Sequence, residues 1–158
     1  MGQSPRPPIS VLDINNSVNV EGRSPQVYNS YLQNGPYFAK ATPGGPLNFL
    51  FSGFPNNALL LLFGPMNLGA ASYGPTGQLD IGGPVDPSTG IPVGIQIVAS
   101  GFQLTNPIDA FMTTGTTGTN MVTFTTPPFP PGVLGTMQTV TPTSTGIAIS
   151  NAVQLIIE

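Results

Sequence analysis

The chain has 158 residues, enough for one domain that buries roughly two-thirds of the surface its unfolded form exposes. Only 6% of it is charged, with Arg6, Arg23 and Lys40 against Asp13, Glu21, Asp80, Asp86, Asp109 and Glu158 for a net charge of −3; this excludes the clustered Lys and Arg of a nucleic-acid-binding surface. His, Cys and Trp are all absent, which excludes Ser-His-Asp and Cys-His nucleophile systems, imidazole and thiolate metal sites, and any disulfide framework.

In chain order, the first element is an amphipathic segment behind a Pro-rich leader. Leu12, Ile14, Val18 and Val20 share one parity while Asp13, Asn15, Ser17 and Asn19 hold the other, which predicts a strand over residues 12–20. A second, weaker run covers residues 26–32 with Val27, Tyr28 and Tyr31. After Asn34-Gly35-Pro36 come Tyr37 to Thr42 and then Leu47 to Ser52, where Leu47, Phe49 and Phe51 point one way. Ala58 to Phe63 is a continuous apolar run, as expected of a strand covered on both faces. A Gly/Pro-rich connection leads to a strand at Gln78 to Ile81, the loop Gly82 to Gly90, and a run from Ile91 to Ala99 in which Val93, Ile95, Ile97 and Ala99 share a face. Small pieces at 101–104 and 110–112 precede strands at Met121 to Thr125, Gly135 to Thr141 and Ile147 to Ile157, the last keeping its face across Asn151. Sustained helical periodicity is missing, because Pro or Gly interrupts nearly every window; Gly numbers 20 and Pro 19.

These elements predict an all-β fold, an antiparallel β-sandwich of about eight to ten short strands with immunoglobulin-like or jelly-roll layout. Residues 1–35 read as an N-terminal extension carrying a candidate donor strand at 10–21, and residues 36–158 as the sandwich. The apolar run at 58–63 is far too short to cross a bilayer as a helix, so a membrane-spanning role is not expected. Met1 to Pro8 lacks the apolar core of a secretory signal, so export, which the composition favours, requires a leader already removed.

Leu47 to Pro65 (LNFLFSGFPNNALLLLFGP), Gly77 to Gly82 (GQLDIG), Thr126 to Gly132 (TPPFPPG) and Leu134 to Glu158, with its LGTMQTV and ISNAVQLIIE, occur in an order that resembles the small C-terminal β-sandwich modules of exported planctomycete-type bacterial proteins. The resemblance spans the C-terminal two-thirds and none of the first 35 residues. It implies an extracellular, non-catalytic module. The chain departs from the pattern in having its own N-terminal extension where a large domain would precede the module.

Asp80 and Asp86 are the candidate metal ligands, since Asp86-Pro87-Ser88-Thr89-Gly90 groups carboxylate, hydroxyl and carbonyl oxygens of the kind calcium takes. Their spacing is not that of an EF-hand loop, and a turn opened by Asp86 beside a strand-end Asp80 is the reading adopted, so no cofactor is expected. A glycosidase pair drawn from Asp80, Asp86 and Asp109 lacks any Trp platform. Tyr28, Tyr31, Tyr37 and Tyr73 suit a core better than a stacking patch, and the Gly44-Gly45 and Gly82-Gly83 pairs read as turns, lacking a phosphate-binding Lys and helix. Asn15-Asn16-Ser17 is the one N-glycosylation sequon and reads as incidental.

The expectation for function follows from the arm. Leu12, Ile14, Val18 and Val20 are the predicted assembly interface, a strand that one copy donates to the sandwich of the next. The chain is expected to be non-enzymatic: an extracellular or cell-surface structural subunit, a homo-oligomer or polymer built by such exchange and by sheet edges. A carbohydrate- or calcium-binding accessory module, with a glycan as ligand, is the alternative.

Overall fold

The computed structural model describes residues 10–25, 36–73, 77–103, 105–143 and 146–158. The all-β expectation holds. Eleven strands are present among the described residues, slightly more than expected: β1 Val11–Ile14, β2 Tyr37–Ala41, β3 Pro46–Ser52, β4 Leu60–Gly64, β5 Met66–Ser72, β6 Gln78–Ile81, β7 Gln96–Ser100, β8 Thr119–Thr125, β9 Gly132–Thr143, β10 Gly146–Ile149 and β11 Val153–Ile157. A 3-10 turn, Pro107–Phe111, takes the place of the small strand expected at 110–112, as Pro107 presets φ at its start.

Three layers stack. The first sheet has the order β1-β3-β8; the second runs β2-β11-β9-β4-β7 with β10 also on β9; β5 and β6 form a separate pair. Between the two sheets lies the main core, where Leu12 and Ile14 of β1 and Leu47, Phe49 and Phe51 of β3 meet Tyr37, Leu61, Met137, Val153, Leu155 and Ile157. On the far side of the second sheet, Leu62 and Ile149 pack with Leu79 and Ile81 of β6. The expected two-sided burial of the 58–63 run is therefore correct: Leu59 and Leu61 enter the main core and Leu62 the outer one.

One pairing departs from the antiparallel expectation. β11 runs parallel to β2, with Val153 opposite Tyr37 and Ile157 opposite Ala41. The distance in sequence allows this, since parallel neighbours need a long crossover and here more than a hundred residues supply it.

Three further expectations are corrected. The 12–20 strand ends at Ile14, because Asn15 and Asn16 adopt φ of 49° and 56° and turn the chain sharply. The shared face expected over 91–99 does not form: only Gln96–Ser100 is a strand, Gly94 takes φ 79°, and a register shift against β4 leaves Ala99 opposite Leu61 but Ile97 opposite Leu62. That bulge reverses the parity, so Ala99 is buried whereas Ile97 is exposed. The 147–157 segment is two strands, both against β9, with Ser150-Asn151-Ala152 between them. β5 had no sequence signature, since MNLGAAS follows Pro65, carries Gly69 at φ 71° and does not alternate. The run at 26–32, with Tyr28 and Tyr31, and Leu104 of the 101–104 piece lie outside the described residues.

Candidate functional site

The break between β10 and β11 builds a buried polar site. Ser150 and Asn151 are buried, and the Ser150 side chain takes the place of a ladder acceptor at the break. Ser150 Oγ accepts the Thr139 N–H at 2.8 Å and donates to the Asn151 carbonyl. Gln138, on β9, donates to the Ser150 and Gln78 carbonyls and accepts the Asp80 N–H, which fastens β6 to the second sheet.

Asn151 turns the other way, toward β1. Its Oδ1 accepts the Leu12 N–H at 3.0 Å and its Nδ2 donates to the Leu12 carbonyl at 2.8 Å. A carboxamide presents one donor and one acceptor as a peptide group does, so Asn151 acts as a one-residue strand against the edge of β1. Nearby, Ser10 Oγ lies 3.0 Å from Thr139 Oγ1 and 3.2 Å from Thr141 Oγ1, all three buried. The arm is thus seated by a polar clamp as well as by apolar contact.

The four predicted interface residues separate. Leu12 and Ile14 are fully buried in the main core of their own chain, with Leu12 opposite Phe51 and Ile14 opposite Phe49. Val18 exchanges two backbone hydrogen bonds with Phe38 of β2, and it is 40% exposed; Val20 is 83% exposed. The Asn15-Asn16 corner carries the chain from one sheet to the other, and Asn15 Nδ2 donates to the carbonyls of Lys40 and Pro46 while its Oδ1 accepts the Asn48 N–H. The side chain of the sequon asparagine is therefore occupied by backbone partners.

In the two larger sheets the end strands β1, β2 and β7 are covered or distorted, and β8 carries side-chain contacts. Asn151 caps β1, Val18 and Asn15 cover β2, and Asn120 of β8 donates to Phe111 O while the Phe111 ring meets Phe124 edge-on. β7 is bent by its bulge, and its Ser100 N–H is taken by Asp109. Such devices oppose edge-to-edge pairing between copies.

The carboxylates serve the backbone. Asp80 Oδ1 accepts from Gly69 N–H and Gln78 Nε2, whereas Asp86 Oδ1 accepts from the Ser88 N–H and hydroxyl. The two share no partner. Asp86 lies below the usual carboxylate range because of the Ser88 N–H first and the Ser88 hydroxyl second. Asp109 accepts the N–H groups of Ser100, Thr105 and Asn106 and the Thr105 hydroxyl; the Asn106 and Ser100 N–H bonds lead in holding it below the usual range. Among the described residues no three of His, Cys, Asp and Glu gather as a metal site would require. Tyr37 is fully buried in the main core, which raises its phenol pKa, and Tyr73 donates to the Gly90 carbonyl at 2.9 Å.

Asn151 was not legible as a site residue. The signal was the Ser150-Asn151 pair, two polar residues where an apolar alternation resumes with shifted partners. No helix among the described residues is long and apolar enough to cross a membrane. Comparison with protein-family models gives no match, and comparison with curated proteins gives none.

Proposed function

We propose that the chain is a non-enzymatic structural subunit that assembles outside the cell by exchanging its N-terminal strand between copies. The observation that carries this reading is the seat of β1. Leu12 and Ile14 fill the main core with no exposed surface, and at the strand's outer edge both backbone groups of Leu12 are held by the side chain of Asn151. A seat of this kind accepts β1 from its own chain or from a neighbour with the same contacts, which is the physical basis of strand exchange.

Three features support exchange over stacking of sheet edges. β1, β2 and β7 are covered or bulged, which disfavours the simpler route at those edges. The Asn15-Asn16 corner separates β1 from the residues that follow, so β1 can leave its seat while Val18 stays bonded to β2. Charge does not oppose close approach, since Arg23 pairs with Glu21 and Lys40 with Glu158 on a surface otherwise nearly uncharged. The resemblance of residues 47–158 to exported planctomycete-type modules supports an extracellular or cell-surface location, and the absence of His and Cys together with the backbone-engaged carboxylates supports a non-catalytic role.

The test is electron microscopy with light scattering of the full chain and of a chain lacking residues 1–22, at matched concentration. Oligomers or filaments in the first and none in the second, restored to a stable sandwich by a free peptide of residues 10–21, is the expected result. Monomers in both would overturn the reading.

A further inference from the structure

Beside β7 the chain forms a groove of about 410 Å³, with Leu60, Ile97 and Val98 in its apolar lining and Ser100, Gln103 and Asn106 in its polar lining. Phe102 also lines it and is 54% exposed. Beside it, the Asp109 carboxylate accepts the N–H groups of Ser100, Thr105 and Asn106 and the Thr105 hydroxyl, and Ser100 Oγ accepts the Phe102 N–H at 3.2 Å. These bonds fix the backbone groups of Ser100, Phe102, Thr105 and Asn106 before any ligand arrives.

The chemistry of the groove selects its ligand class. Asp109 is the sole charged residue lining it, and both of its oxygens are already engaged, so a charged ligand finds neither a counter-ion nor an open carboxylate. The rest of the lining combines Phe102 and the branched aliphatics Leu60, Ile97 and Val98 with the amides of Gln103 and Asn106 and the hydroxyls of Ser100 and Thr105. A pyranose ring carries both complements, a C–H face and a rim of hydroxyls. We propose that this groove binds a neutral oligosaccharide, with Phe102 stacked on a sugar ring and Gln103 and Asn106 hydrogen-bonded to its hydroxyls. The site is separate from the β1 seat, so it stands or falls independently of strand exchange.

Calorimetric titration of the full chain with cellohexaose, laminarihexaose and chitohexaose tests this, together with amide NMR shifts for the sugar that binds. At least one of the three sugars is expected to bind, with shifts centred on residues 97–103. Phe102→Ala is expected to weaken binding about tenfold, as loss of one aromatic contact implies, while Val133→Ala, at an exposed position outside the groove lining, leaves it unchanged. Phe102 is exposed, so its truncation leaves the core intact; a matching thermal unfolding curve verifies this. No heat with any of the three sugars overturns the proposal. So does binding that Phe102→Ala leaves unaltered, or shifts that map to the 82–90 loop instead.

Discussion

The Asn151 side chain completes both backbone hydrogen bonds of Leu12, at 3.0 Å to its N–H and 2.8 Å from its carbonyl. Both residues are buried, so water has no access to replace either bond. Asn151→Ala leaves a buried N–H and C=O without partners and is expected to cost about 2–4 kcal/mol. Urea unfolding checks this as a lower midpoint at unchanged slope. Asn151→Asp keeps the acceptor for the Leu12 N–H but turns a negative oxygen toward the Leu12 carbonyl, so it is expected to be destabilising as well.

The separation of the four arm residues gives a second prediction. Leu12→Ala removes a fully buried side chain and is expected to cost about 2–5 kcal/mol, whereas Val20→Ala, at an 83% exposed position, is expected to change stability by less than about 0.5 kcal/mol. Equal effects in the two variants would mean that all of residues 12–20 act as one strand.

Gly135 supports β4 through close approach. A Cβ there would overlap Cζ of Phe63, whose ring lies over the glycine from the neighbouring strand. Gly135→Ala is expected to destabilise by about 1–3 kcal/mol or more through overpacking. Adding Phe63→Leu is expected to recover part of the loss, which a double-mutant cycle by urea unfolding measures.

Asp109 makes stability depend on acid pH. Its folded carboxyl lies below the ordinary value, so it stabilises the fold above the unfolded pKa of about 3.9 and that contribution disappears as pH falls through the folded value. Melting temperature is therefore expected to fall on acidification below about pH 4. Asp109→Asn is expected to lower stability at neutral pH and to flatten the acid limb.

Much of the architecture was legible because it rests on parity. Leu47, Phe49 and Phe51 alternate with polar or half-buried neighbours, and the structure buries those three against the core. The 58–63 run announced a strand with two covered faces by having no polar face at all. Failures fell where a single residue resets the parity. The bulge in β7 puts Ile97 on the wrong side for its spacing from Ala99, and the two left-handed asparagines end β1 although Val18 and Val20 continue its pattern. The candidate site was less legible than the fold. Leu12 and Ile14 were readable from their own segment, but their partner Asn151 lies 139 residues from Leu12, and short-range periodicity carries no information about such a contact. Asp80 and Asp86 are neighbours in sequence, yet each carboxylate closes on its own nearby backbone group.

The central claim is that β1 of one copy occupies the seat of another, and a disulfide reports it directly because the chain has no cysteine of its own. Val11 lies opposite Ser52 across the β1/β3 ladder, at the separation of about 5.5 Å between Cα atoms that a disulfide spans. The variant carrying Val11→Cys and Ser52→Cys is oxidised at high concentration and run on a non-reducing denaturing gel. Strand exchange predicts a ladder of covalently linked oligomers that collapses to monomer on reduction. A single monomer band, with both cysteines joined within one chain, would contradict it.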